Sequence, residues 1–170
     1  SDGGQQLTMS LLVPYDGSTL AQAALRRADA FGTVFDEPVV AVSVIPEGNT
    51  SYARERGWLG PEDSYDRQRI VTHLHDGVTE LVPAAHFRYV MVDRYAPTGT
   101  IAKRLRRIAR EESASMVFVG SENVGRIATG LSTVGGTVAA DDAYDVVIVR
   151  RDRPTALDAI RESDAERRQQ

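Results

Sequence analysis

The chain contains no cysteine, which excludes disulfide staples, thiol nucleophiles and thiolate-ligated zinc or iron–sulfur centres. Histidine is scarce, limited to His73, His75 and His86. The first two stand two apart in a stretch with helical periodicity, where such side chains diverge, so no metal site is expected. Lysine is nearly absent: Lys103 stands alone among twenty basic residues and the others are arginine, a compositional bias and not a motif. Those twenty face twenty-four acidic residues for a net charge of −4, which leaves no electrostatic footprint for nucleic acid. No apolar run reaches the length of a membrane span, and the first residues lack a basic-then-apolar secretion pattern. A cytoplasmic protein without direct membrane insertion is expected. Neither the G-x-G-x-x-G fingerprint nor a P-loop occurs.

What is present is the material of one domain. With 170 residues, 42% of them hydrophobic, the chain can bury roughly 70% of the surface its unfolded form exposes, and two full domains would be cramped. Four β-branched, apolar runs read as strands, at residues 11–15, 39–45, 116–119 and 146–149. Residues 88–92 are a weaker fifth. Three of the runs are nearly continuous, the pattern of parallel strands covered on both faces. Between them, residues 18–31, 62–82 and 100–112 carry apolar residues at helical spacing, and residues 131–140 form a shorter, glycine-bearing helix candidate. The order predicts an α/β fold: a single open, mainly parallel five-stranded sheet with helices on both faces and right-handed connections. The domain is expected over residues 1–150. The tail, 151–170, has ten charged residues in twenty and is expected to be partly helical or disordered.

Ligands of open parallel sheets bind outside the carboxyl ends of the strands, which directs attention to four loops. The first follows Val13-Pro14-Tyr15 with Asp16-Gly17-Ser18. Asp16 is either a turn-former and cap or a carboxylate facing a ribose hydroxyl or a phosphate-bound cation. The second, residues 46–60, is long enough to be functional. It carries Trp58, which either closes over the cleft or anchors the loop, the anchor being preferred. The third spans residues 93–100. The fourth follows Val119-Gly120 and is studded with Gly125 and Gly130 before a helix start near Ser132 and Thr133, whose exposed N–H groups suit an anion. Its one cation is Arg126. The basic side of the 100–112 helix (Lys103, Arg104, Arg106, Arg107, Arg110) reads as a solvated face before an RNA or partner stripe. No catalytic constellation emerges.

The opening Leu12-Val13-Pro14-Tyr15-Asp16-Gly17-Ser18, with Val117-Phe118-Val119-Gly120-Ser121 through Asp145-Val146-Val147-Ile148-Val149-Arg150, resembles the universal stress protein family over residues 11–150. The resemblance implies a small Rossmann-like domain, of the adenine nucleotide alpha hydrolase kind, acting by binding in stress response or regulation. Part of the family binds an adenine nucleotide, so ATP with magnesium or manganese is implied as a switch. The alternative is a module without nucleotide that serves a transporter or other protein partner, and a nucleotide-handling enzyme ranks third.

The family signature is glycine, two residues, glycine, nine residues, glycine, then serine or threonine. Gly120 matches its first position and Asn123 replaces the second glycine, with Gly125 arriving two residues late. Allowing one missing residue, Ser132 replaces the third glycine and Thr133 supplies the hydroxyl. Asn123 is a residue able to take the left-handed conformation glycine often supplies. The strand-one acid corresponds to Asp16 beside Pro14, and the adenine-side contacts of the second strand fall on Val39 to Val42. Ser43 and Ser115 replace a frequent histidine and aspartate. Val146, Val147, Ile148 and Val149 are implied as the edge of a homodimer.

Overall fold

The computed structural model describes residues 9–124, 144–152 and 165–168. Five strands form one sheet: β1 (Ser10–Pro14), β2 (Val39–Pro46), β3 (His86–Val92), β4 (Ala114–Gly120) and β5 (Asp145–Val149). Their spatial order is β3-β2-β1-β4-β5, and every pairing is parallel. The helices are α1 (Thr19–Phe35), α2 (Thr50–Glu55), α3 (Arg67–Leu81) and α4 (Thr98–Glu111). The helix expected over 131–140 lies outside the described residues, as does most of the tail. Of the tail's described part, Asp152 forms an ion pair with Arg26 of α1.

Alternation along β1 sorts the core into two layers. Leu11, Val13 and Tyr15 point to the side packed by Ala21, Leu25 and Ala28 of α1 and by Ile70, Leu74 and Val78 of α3. Leu12 points to the other, with Val40 and Val42 of β2, Val117 and Val119 of β4, and Ile101, Leu105 and Ile108 of α4. Both faces of the central strands are therefore buried, which is why those strands read as continuous apolar runs. The hydroxyls of the two buried serines are satisfied within the fold. Ser43 Oγ donates to the Tyr15 carbonyl at 2.6 Å, and Ser10 Oγ donates to the Glu112 carbonyl at 2.7 Å.

Several boundaries differ from the sequence expectation: α1 runs on to Phe35 and β4 begins at Ala114, and three further differences have a visible cause. The 46–60 segment holds the six-residue helix α2, capped by Asn49, whose side chain accepts from Tyr52 N. The helix expected from 62 begins at Arg67, because Asp66 caps it through Arg69 N while Gly60 N donates to Asp63 Oδ2 at 2.7 Å in a preceding turn. Strand β3 starts at His86, two residues earlier than its apolar run. It is an edge strand, and its polar positions His86 and Arg88 interrupt the pattern. Arg88 is held by a fork of Glu111 Oε2 at 2.6 Å and Glu112 Oε1 at 2.9 Å, which ties β3 to the end of α4. That contact, foremost the hydrogen bond from Arg88, holds the Glu111 carboxyl below the usual carboxylate range.

Candidate functional site

The strand order places β1 between β2 and β4. The chain runs outward to β3 on one side and to β5 on the other, so the crevice above the carboxyl ends of β1 and β4 is the topological switch point of the sheet. Asp16 enters this crevice from β1 and Gly120 to Asn123 from β4.

Asp16 is held on three sides. Its Oδ1 accepts from Ser18 N at 2.9 Å and its Oδ2 from Asn123 Nδ2 at 3.2 Å, while its carbonyl accepts from Trp58 Nε1 at 2.7 Å. The turn is completed by Gly17 at φ +83°, a conformation that favours glycine. Ser18 is the cap of α1, its side chain accepting from Ala21 N. The Asp16 carboxylate therefore orders the turn ahead of the helix, and each of its oxygens keeps capacity for a further hydrogen bond. Asp16, Ser18, Glu55, Arg56, Glu122 and Asn123 line that cleft, whose volume is about 440 Å³.

The structure brings Pro14, Asp16, Gly120 and Asn123 to this edge. Pro14 is half-buried and lies in register with Val42. Val42 itself is 1% exposed in the core against α4, so its side chain faces no ligand. Val39 is paired with Leu11 at the amino end of β2, where it lines a groove with Asp29, Gly32 and Val82. It is at the opposite edge of the sheet from Asp16. Asn123 lies in a 3₁₀ turn, Ser121–Asn123, and is not among the described residues with positive φ. Gly120 has an ordinary φ of −63°. What it needs is space, because a Cβ there would stand 2.9 Å from Leu20 Cβ and 3.1 Å from the Leu20 backbone carbon. Its bare backbone lets α1 approach β4. Gly125, Arg126, Ser132 and Thr133 lie outside the described residues.

Two groups of residues near the carboxyl edge of the sheet are not singled out by the sequence. Val44, Ala96 and Val124 are half-buried apolar residues packed on the α4-side core, from the carboxyl ends of β2, β3 and β4. Val44 is on the same face as Val42 but two residues closer to the ligand edge, and strand alternation alone gives that signal. The second is Arg56, whose guanidinium carbon lies 3.4 Å from the centroid of the Tyr52 ring. Trp58, 3% exposed, packs edge-on to that same ring and anchors the segment. In the 93–100 loop, the Arg94 carbonyl accepts from Asn49 Nδ2 at 2.9 Å, while Tyr95 is 81% exposed.

Tyr15 serves the fold. Its hydroxyl would meet a Cβ on Gly77 of α3 at 2.7 Å, and burial, reinforced by Asp16 and Glu80, pushes its pKa above the usual phenol value. Among the described residues, no group of three or more histidines and acids is placed to hold a metal ion. Nor is any helix among them long and apolar enough to cross a membrane.

Solved structures similar to the chain include a member of the universal stress protein family from Burkholderia pseudomallei, 22% identical with a TM-score of 0.52, over 87% of this chain and 100% of that one. A universal stress protein from Archaeoglobus fulgidus in complex with dAMP is 18% identical with a TM-score of 0.50, over 84% and 98%. UspA from Lactobacillus plantarum is 17% identical with a TM-score of 0.50, again over 84% and 98%. At these identities the likeness establishes the fold alone. Among curated proteins, none matches the chain. The model of the universal stress protein family matches residues 8–150, from just before β1 to just after β5; the chain belongs to that family.

Proposed function

We propose that the protein is a stress-response or regulatory binding protein that holds ATP or another adenine nucleotide at the switch-point crevice. The observation that carries this is Asp16, poised between the ends of β1 and β4 with acceptor capacity in the lining of the cleft. A carboxylate so placed suits a ribose hydroxyl, and the apolar surfaces of Pro14, Val44, Ala96 and Val124 suit a base. The complex of the Archaeoglobus fulgidus relative with dAMP supports the same ligand class. Asp16, Glu55 and Glu122 make the lining acidic, which fits phosphates accompanied by magnesium or manganese and repels bare ones. The protein acts by binding and not by catalysis, in the cytoplasm. Its expected assembly is a homodimer through β5, which lies at one edge of the sheet with Ile148 40% exposed, since an apolar edge favours pairing.

A second reading is an interaction module without nucleotide, serving a protein partner. The bond from Asn123 to Asp16 Oδ2 favours it, because that oxygen is already engaged. The two are separated by denaturing the purified protein, assaying released nucleotide, and titrating ATP calorimetrically with magnesium or manganese. Retained nucleotide or micromolar binding is expected, corresponding to about −8 kcal/mol. No nucleotide and no heat at millimolar ATP would favour the partner module.

A further inference from the structure

We infer that Arg56, presented on the Tyr52 ring, is the residue that receives the polyphosphate of the ligand in this cleft. The identity of the ligand rests on the nucleotide reading above, whereas the anion contact does not depend on it. Among the described residues that line the cleft, Arg56 is the cation, and it shares the lining with Asp16, Glu55 and Glu122. Its Nε is buried without a hydrogen-bond partner. An unsatisfied buried donor on a charged group is costly and calls for an explanation, and an incoming anion supplies one.

The neighbouring arginine shows the contrast. Arg54 spends its guanidinium on the Asp63 carbonyl, with Nη2 at 2.6 Å and Nε at 3.1 Å. The Arg56 guanidinium carbon instead lies over the Tyr52 ring, and a cation held by an aromatic face keeps its N–H groups for a ligand. Its place is fixed from both sides. Arg56 N donates to the Tyr52 carbonyl at the end of α2, at 3.3 Å, and two residues on, Trp58 is bonded to the Asp16 carbonyl. A planar fork so held matches phosphate oxygens in two-point contact. The three carboxylates in the same lining disfavour a simple carboxylate ligand and favour a polyanion that brings its own divalent cation.

Trp58 is the protein's single tryptophan, and its contact with Tyr52 makes its fluorescence a local reporter. The test measures binding of ATP, adenosine and inorganic tripolyphosphate in magnesium by that fluorescence and by calorimetry. It uses the wild type, Arg56→Gln and Arg56→Lys, with thermal melts to confirm folding. Arg56→Gln is expected to weaken ATP and tripolyphosphate about 10- to 100-fold and to change adenosine less than about twofold. Arg56→Lys, which keeps the charge without the fork, falls between. Equal ATP affinity in wild type and Arg56→Gln overturns the role of Arg56 and leaves the nucleotide reading standing. Arg56-dependent tripolyphosphate binding, with adenosine unbound and ATP no tighter, upholds the anion contact and overturns the nucleotide reading. Binding of none of the three by the wild type overturns both.

Discussion

Replacing Trp58 with alanine is expected to lower the unfolding free energy by about 3–5 kcal/mol, the usual cost of deleting a buried large aromatic side chain. Three losses combine. The indole is 3% exposed within the core on the α1 and α3 side, its edge contact with Tyr52 at 5.6 Å between centroids is removed, and the Asp16 carbonyl loses its donor. Against a typical total of about 5–15 kcal/mol, such a loss is large. Urea unfolding followed by far-ultraviolet circular dichroism gives the difference directly, with the slope against denaturant expected to stay unchanged. Trp58→Phe keeps most of the ring but not the N–H, and is expected to cost about 1–3 kcal/mol. An alanine variant within about 1 kcal/mol of wild type would mean that the indole is not the anchor of the segment.

Asp16→Ala is expected to weaken ATP binding by about 10- to 100-fold, the size of a hydrogen bond to a charged group. Its effect on stability is smaller, because the two bonds it loses, from Ser18 N and Asn123 Nδ2, join half-buried groups that water can reach. Asp16→Asn retains an acceptor for Ser18 N but presents an amide toward the ligand, and is expected to bind with intermediate affinity. Calorimetric titration of the three proteins checks the ranking. Equal affinities would remove the carboxylate from the site.

These expectations draw on features of unequal visibility in the sequence. The sheet and its flanking helices were legible because burial on both faces leaves continuous apolar strands, and α1 and α4 keep one apolar stripe each. The edge strand β3 was less so, since the Arg88–Glu111–Glu112 contact puts charge in its middle. Helix α2 is six residues long and has too few turns for periodicity to show. Asp16 and Asn123 could be named from strand-end position and family pattern, but not their bond across 107 residues. Val39 is assigned to the adenine side by the family resemblance alone, and as the first residue of β2 it stands at the amino end of its strand, away from the carboxyl edge where ligands of parallel sheets bind. Its pairing with Leu11, the second residue of β1, agrees. Arg56 reads as an ordinary solvated loop cation until the Tyr52 ring beneath it is seen.

The most direct test of the account is to map where ATP with magnesium binds, by amide chemical-shift changes in the ¹⁵N-labelled protein. With ATP at the switch point between β1 and β4, the changes are expected to concentrate at residues 16–19, 56–58 and 120–124. Changes absent at millimolar ATP would contradict that placement. So would changes gathered at the opposite edge of the sheet, in the groove lined by Ser10, His86, Arg88 and Glu112.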